Sequence, residues 1–394
     1  MDVLASENII QEKSMKILHI DMTGPYTEGL TYQENIIPSI HSQIGNDVEL
    51  WVTTKAYENG KIVCNKNYNK RLSDGVLLRR FEYVNYGFGL ITKKIRNIKN
   101  IYKELEVSNP DFIMLHDFAT KATLEVCRYV KNHPKVKFVA DVHSDYLNSA
   151  TNIISKYILH RIIYRKYAHV AYDTVEKLYC ISPEAKQFVV ENYGLKKEKL
   201  KLLPLGATIP DEKEYNSKRR QRRNELGVDE NITVFMHSGK LTPLKRTRDI
   251  LQAMEQLKNI DCRLIIIGSA DDELTKILKQ AEQRDYRIKY LGWKSGNELS
   301  EWLCAGDVYV LPGDQSNTVQ TAMCRREAVI VYPYENYLSF GRDNICSVKQ
   351  LDELKEAMSK LSNDMKYRER MRDNAFGYAK KALDYSIQAK KILE

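Results

Sequence analysis

Asp307–Val331, DVYVLPGDQSNTVQTAMCRREAVIV, reads as strand, polar turn, helix and strand with almost no residue to spare. Asp307 to Leu311 is a short apolar strand, and Pro312-Gly313 ends it with two residues that neither a continuing strand nor a helix accommodates. Asp314, Gln315, Ser316, Asn317 and Thr318 then stand just ahead of the apolar positions Val319, Ala322 and Met323, where a helix should begin. A helix N-terminus presents unpaired N–H groups and the positive pole of its dipole, so it can receive an anion such as a phosphate. The competing reading is an ordinary βα turn capped by Ser316 or Thr318, and this stretch alone does not choose between them.

The composition narrows the field. A chain of 394 residues is too long for one comfortable core and predicts two domains. With 43% hydrophobic and 29% charged residues, it has the balance of a soluble globular protein. It has no run of about 18 uncharged apolar residues, so no membrane-spanning helix is predicted. Asp2, Glu7 and Glu12 argue against a secretory signal, and residues 1–14 are expected to be a poorly ordered leader ahead of Met15-Lys16-Ile17-Leu18. Seven scattered cysteines, with no C-x-x-C pair, suggest neither a disulfide framework nor a zinc site, and fit a reducing cytoplasm. The formal net charge of +9 biases the protein towards anionic partners: nucleotides, phospholipid head groups or nucleic acid.

Upstream of the opening stretch the chain alternates strand and helix twice over. Strand KILHID (16–21), a loop carrying Gly24 and Gly29, a helix over 31–43 and strand DVELWVTT (47–54) open a doubly wound parallel sheet, whose ligands sit at the carboxyl ends of its strands. This is not the G-x-G-x-x-G fingerprint, so a plain turn role for the glycines stands as an equal alternative. Phe88, Ile91, Ile95, Ile98, Tyr102 and Leu105 recur at helical spacing, predicting a helix over 88–105. Strand DFIMLHD (111–117), helix 121–131, strand KFVADVH (137–143), a long helix to about residue 172, strand 177–182, helix 183–193 and strand 200–205 complete one α/β domain. Residues 207–222, charged and nearly without apolar periodicity, read as a linker. A second alternation starts at ITVFMH (232–237) and runs through the opening stretch into charged C-terminal helices. The expected organisation is therefore an N-terminal domain over 15–206, a C-terminal domain over 223–375, and a last helix over 376–394 that packs back on the N-terminal domain.

Several motifs, in this order and spacing, resemble the retaining nucleotide-sugar glycosyltransferases of glycosyltransferase family 4. The opening segment 15–54 resembles that family's first strand, glycine loop and helix; Ser238-Gly239-Lys240-Leu241 with Lys245 resembles its G-[RK]-L…K signature; and Tyr290-Leu291-Gly292-Trp293 through Pro312 resembles the run into its donor-binding turn. The resemblance implies a GT-B fold: two doubly wound Rossmann-like α/β domains facing a central cleft, with an acceptor domain first and a donor-nucleotide domain second. It implies phosphate-stabilising roles for Lys240 and Lys245, against the competing reading of surface lysines at a helix start. Ser316 and Thr318 would complete the phosphate cradle, with Gly29, Gly239 and Asn317 beside the donor. Trp293 falls where the family holds the nucleobase, core packing being the alternative. His143 matches the histidine that meets the donor sugar near the reacting carbon, and His116 and Asp117 are weaker acceptor candidates; Asp117 has a helix-capping alternative.

One departure stands out. Family members carry two glutamates eight positions apart around the turn, and Gly313 and Thr321 occupy those places here. PGDQSNTVQTA resembles a variant form of the turn in which Asp314 or Gln315 would take the sugar hydroxyls and Gln320 or Thr321 the ribose. The expected function is a metal-independent, retaining transfer of a sugar from a nucleoside diphosphate, UDP favoured, to a hydroxyl of a polysaccharide or lipid-linked glycan. The alternatives are a catalytically weak or inactive transferase-like subunit that binds acceptor or a partner protein and, less well supported, a sugar-nucleotide epimerase. Lys93, Arg96, Lys99 and Lys103, with Arg161, Arg165, Lys166 and His169, form either a basic face for an anionic membrane surface or a solvated one. The run Lys218-Arg219-Arg220-Gln221-Arg222-Arg223 lacks any aromatic stacking platform, so no nucleic-acid partner is expected.

Overall fold

The computed structural model describes residues 14–58, 61–65, 68–87, 95–146 and 155–394. The expected leader up to residue 13, and Phe88, Ile91 and Lys93 of the expected helix and basic face, lie outside the described residues.

Two parallel sheets carry the chain. The first contains Lys16–Asp21 (β1), Asp47–Thr53 (β2), Asn69–Arg71 (β5), Leu77–Phe81 (β6), Phe112–His116 (β7), Lys137–Val142 (β8), Lys177–Cys180 (β9) and Leu200–Leu202 (β10). Its order is β10-β9-β8-β7-β1-β2-β6-β5, with β5 antiparallel to β6, while Lys55–Glu58 (β3) and Lys61–Cys64 (β4) form a separate hairpin. The second contains Thr233–Lys240 (β11), Cys262–Ser269 (β12), Ile288–Tyr290 (β13), Val308–Leu311 (β14), Ala328–Val331 (β15) and Cys346–Ser347 (β16), in the order β13-β12-β11-β14-β15-β16 and parallel throughout.

The second sheet shows why these runs become strands. Side chains alternate across a strand. Val234, Met236, Ile265, Ile267, Tyr309 and Leu311 therefore enter one core, which the helix Thr318–Cys324 closes with Ala322 and Met323. Phe235, Leu264, Ile266, Val308 and Val310 enter the other, closed by Ile250, Met254 and Leu278. A strand buried on both faces must be apolar continuously rather than alternately, as β14 (VYVL) is. In each sheet the winding reverses beside the first strand, between β1 and β7 and between β11 and β14. At such reversals the loops part at the strands' carboxyl ends and leave room for a ligand.

Three sequence expectations are corrected. Among the described residues the helix expected over 88–105 is interrupted: Ile95 is helical, Arg96 (φ 50°) and Asn100 (φ 62°) are left-handed, a conformation a right-handed helix cannot absorb, and a helix runs from Ile101 to Ser108. Ile98, which looked helical by spacing, bridges to Tyr83 instead. The expected linker is mostly helix, Glu212–Leu226, capped by the Asp211 side chain and stopped by left-handed Gly227. Hydropathy could not reveal it because its buried face is made of arginine: Arg219 and Arg223 reach the Asp307 carboxylate at 2.8 and 3.2 Å. Lys218 and Arg222 both pair with Glu301, so this basic run is spent within the fold. The C-terminal segment is two helices, Met365–Ala382 and Tyr385–Leu393, and the second rests on Tyr179 and Pro204 through hydrogen bonds from Tyr179 to Lys391 and from Gln388 to Pro204.

The chain divides into two compact units. One comprises the chain up to Thr27 with Pro38–Asp141 and Tyr157–Leu178; the other comprises Glu28–Ile37, Val142–Lys156 and Tyr179–Glu394. The second unit thus takes in short segments from the first half of the sequence, which a division at residue 206 does not capture.

Inside the first unit lies a line of buried titratable groups. His116 Nδ1 is 2.9 Å from Asp141 Oδ2, His19 Nδ1 is 3.0 Å from His116 Nε2, and His19 Nε2 is 2.9 Å from His41 Nδ1. The carboxylate only accepts, so with neutral rings every proton in the line points from His41 towards Asp141. Burial, together with the neighbouring His41 and His116, holds His19 well below the ordinary imidazole value, against the pull of Asp141. In the second unit His237 donates to Val310 O at 2.8 Å and faces Thr247 Oγ1 at 2.9 Å; burial, aided by Lys245, pushes its pKa down to about 4. An imidazole depressed in the fold stabilises it fully above the unfolded value of 6.5, and that stability is lost as pH falls towards the folded value. Urea unfolding should therefore show the folding free energy dropping by roughly 3 kcal/mol or more between pH 7 and pH 4. A midpoint constant over that range would contradict the assignment of neutral buried imidazoles.

Candidate functional site

At the reversal of the second sheet β11 lies beside β14 on one side and β12 on the other, and backbone at their carboxyl ends approaches backbone too closely for side chains. A Cβ on Gly268 (φ 151°) would stand 1.8 Å from Gly239 O, and one on Gly313 would stand 2.0 Å from Leu244 O. Gly313 therefore lets the Pro312–Thr318 turn settle onto the short 3₁₀ turn Pro243–Lys245, where Asp314 N donates to Leu244 O at 2.8 Å. Left-handed Arg246 (φ 57°) follows and donates to Pro312 O at 3.0 Å, closing the same seam.

Lys245 is the cation at this seam. It is only 8% exposed, and its ammonium donates to the carbonyls of Asp314, at 3.0 Å, and Gln315. Burial lowers its pKa, with Asp314 opposing. Two of its three N–H donors thus hold the turn. Lys240, at the end of β11, is exposed. The side chain of Ser316 faces Gly239, its Oγ 3.9 Å from where a Cβ there would be, and 3.1 Å from Thr318 Oγ1.

The remaining turn residues divide by what they hold. Gln320 is buried, and with its amide turned to suit its surroundings it donates to Ser316 O and Asn317 O at 3.2 Å; Thr321 Oγ1 donates to Asn317 O at 3.4 Å. Both side chains serve the backbone of the turn. Asp314 Oδ1 accepts from Gln315 N at 2.8 Å. Trp293, after left-handed Gly292, is 70% exposed, which rules out the core-packing alternative and leaves a broad aromatic face in the open. Gly29 (φ 78°) is exposed in the segment that belongs to this unit, and His143 is half-buried directly after β8.

The acceptor candidates fare differently. His116 is 3% exposed, with both ring nitrogens committed to His19 and Asp141 inside the first unit, so it does not present itself to a ligand. Asp117, half-buried and left-handed (φ 60°), accepts from Ala119 N at 3.0 Å, a local turn that precedes the helix Ala122–Asn132 without capping it. Of the basic face, Lys99, Lys103, Arg161, Arg165 and Lys166 are exposed and His169 is half-exposed, whereas Arg96 donates inward to Ala119 O at 3.2 Å.

Three side chains at the turn went unread in the sequence: Glu184, Asn336 and Tyr337. Tyr337 hydroxyl accepts from Ser316 N at 2.8 Å and lies 3.1 Å from Ser316 O, clasping the turn from behind. Glu184, in the first turn of the helix Pro183–Tyr193, accepts from Asn336 N at 2.9 Å and from Gln315 Nε2 at 3.4 Å. No motif marks them, because all three arrive on two helices outside the turn, Pro183–Tyr193 and Glu335–Leu338. Among the described residues no group of three or more His, Cys, Asp or Glu side chains is placed to hold a metal ion, and no helix is long and apolar enough to cross a membrane.

Comparison with a known family falls on this region. Residues 218–377, which contain the seam, the turn and Trp293, match the model of the family described as Glycosyl transferases group 1. The chain is 25% identical over 230 residues to the UDP-Gal:alpha-D-GlcNAc-diphosphoundecaprenol alpha-1,3-galactosyltransferase of Escherichia coli, a match spanning 56% of this chain and 57% of that enzyme. Among solved structures it is similar to HepE of Anabaena in complex with UDP (TM-score 0.67, 16% identity, 96% of this chain and 98% of that one). It is also similar to a glycosyltransferase of Rickettsia africae (TM-score 0.68, 14% identity, 97% of each chain). These likenesses establish the GT-B α/β fold over nearly the whole chain, and residues 218–377 within it are similar to the glycosyl transferases group 1 family.

Proposed function

We propose that the protein is a retaining, metal-independent glycosyltransferase that moves a sugar from a nucleoside diphosphate, with UDP as the nucleotide, to a hydroxyl of a polysaccharide or lipid-linked glycan. The observation that carries this reading is Lys245, a buried cation set beneath a glycine-seamed turn inside the region that matches the group 1 family. A sugar leaving a diphosphate places growing negative charge on the phosphate oxygen, and a cation held away from water stabilises that charge far better than an exposed one. The third N–H of Lys245 and the exposed Lys240 would serve the phosphates, with Gly239, Ser316 and Thr318 shaping their seat. Trp293 would cover the nucleobase, and His143 would meet the sugar. No protein nucleophile is required: the departing phosphate oxygen takes the acceptor's proton on the face from which the acceptor attacks. Support for UDP and for a lipid-linked acceptor comes from what the Escherichia coli relative and the HepE complex are named for. An acceptor of that kind would bring the exposed Arg161, Arg165 and Lys166 to an anionic membrane surface.

A second reading, a transferase-like subunit without catalysis, is favoured by one observation: Gly313 and Thr321 stand where the related turns carry carboxylates. A thermal-shift panel of UDP, GDP, ADP and CMP separates the two. UDP at a hundred times its dissociation constant should stabilise by about 2.7 kcal/mol and the others by less. Silence towards all four nucleotides would favour the subunit.

A further inference from the structure

Resting on the nucleotide-sugar reading, we propose that Glu184 and Asn336 form the subsite that receives the hydroxyls of the donor sugar, taking over the work of the carboxylates absent from the turn. The argument starts from hydrogen-bond directions. Glu184 Oε1 accepts from Asn336 N at 2.9 Å and from Gln315 Nε2 at 3.4 Å. A carboxylate has no donor, so it fixes which way the Gln315 amide points. Gln315 Oε1 must then accept, and Asn336 Nδ2 supplies the proton at 3.1 Å. That in turn fixes the Asn336 amide and leaves Asn336 Oδ1 pointing away as an acceptor.

The orphans of this hydrogen-bond relay are both of one kind. Glu184 Oε2 and Asn336 Oδ1 are buried oxygens without a hydrogen-bond partner. A buried acceptor left unpaired costs about 1–3 kcal/mol, more when charged, so two on the partners of one glutamine side chain point to a missing ligand. Two acceptors and no donor describe that ligand. A phosphate, itself an acceptor, would be repelled here and belongs at Lys245; a group carrying several O–H donors fits. A hexose attached to the diphosphate is such a group. Glu184 reaches this position because Ser182 caps its helix, accepting from Ala185 N at 3.0 Å, with Pro183 opening the first turn, so residue 184 projects from the helix's beginning.

Glu184→Gln tests the assignment with little change of shape, since its amide oxygen retains the bonds to Asn336 N and Gln315 while an N–H₂ replaces Oε2. Affinities would be measured by calorimetry for UDP, UDP-glucose, UDP-galactose and UDP-N-acetylglucosamine. The wild type should bind one of the sugar nucleotides at least tenfold more tightly than UDP. In Glu184→Gln that preference should collapse to about twofold, with UDP affinity unchanged. Asn336→Ala, which spares the backbone amide, should do the same, so the conclusion does not hang on one variant folding. A preference retained in both variants overturns the proposal, as does a wild type that binds UDP but no sugar nucleotide more tightly. Equal losses for UDP and its sugar derivatives would mark Glu184 and Asn336 as supports of the turn and also overturn it. A wild type that binds no nucleotide removes the underlying reading, and the sugar subsite with it.

Discussion

Lys245→Ala should lower turnover of the UDP-sugar donor by roughly 10²–10³-fold, the loss that follows when one preorganised donor to a developing oxyanion is removed. The size follows from burial. An exposed lysine is screened by water and contributes little, whereas Lys245 is 8% exposed and fixed by the Asp314 and Gln315 carbonyls. The same bonds mean that the variant also loosens the turn, so turnover must be read beside thermal unfolding and UDP affinity. A chemical role predicts a drop in kcat larger than the change in UDP affinity. A purely structural role predicts that both decline together with the melting temperature. Lys245→Ala with unchanged turnover would remove this lysine from the site altogether.

Asp307→Ala should destabilise the protein by about 3–5 kcal/mol, because removing one partner of a buried ion pair strands the other charge. Here three arginines lose their shared acid, while Arg219 keeps Glu230 and Arg372 keeps Glu369. Arg219 and Arg223 contact the carboxylate at 2.8 and 3.2 Å, Arg372 stands 3.7 Å away, and Val234 N donates to it at 2.9 Å. Burial works against the charge, yet Arg219, Arg372 and Arg223 together hold the Asp307 carboxyl below its usual value. Nearby Glu327 is fully buried, and burial and the Asp307 charge push it well above the ordinary carboxyl range. Urea unfolding of Asp307→Ala and Asp307→Asn checks this, with Asn the milder because it keeps an acceptor for Val234. A loss under about 1 kcal/mol for Asp307→Ala would show that solvent reaches the arginines.

How far the sequence could be read depended on what signalled each element. The central strands β12, β14 and β15 announced themselves as apolar runs, whereas Asn69–Arg71 (β5) and Cys346–Ser347 (β16) gave no such signal; β14, its glycine and the turn behind it were legible residue by residue. Trp293 was placed correctly after its strand, but whether it was core or exposed was not visible, because burial depends on what else folds over the site. The helix Glu212–Leu226 escaped notice for a different reason: its inward face is charged, and periodicity analysis looks for apolar residues. The break at 96–100 in the helix expected over 88–105 was missed because spacing alone cannot register the left-handed turns at Arg96 and Asn100.

By itself the sequence determined two α/β alternations, the strand-ending Pro312-Gly313 and the lysine that lies beneath the turn. These are local matters, carried by hydropathy over a few residues and by residue types that a strand or helix does not accommodate. Only the tertiary structure decided what completes the Asp314–Thr318 turn. Glu184 lies 131 residues from Gln315 and 152 from Asn336, yet its carboxylate bonds to both. Hydrogen bonding acts over about 3 Å of space, whatever the separation along the chain, so the missing carboxylate of the turn could be found only once the chain had folded.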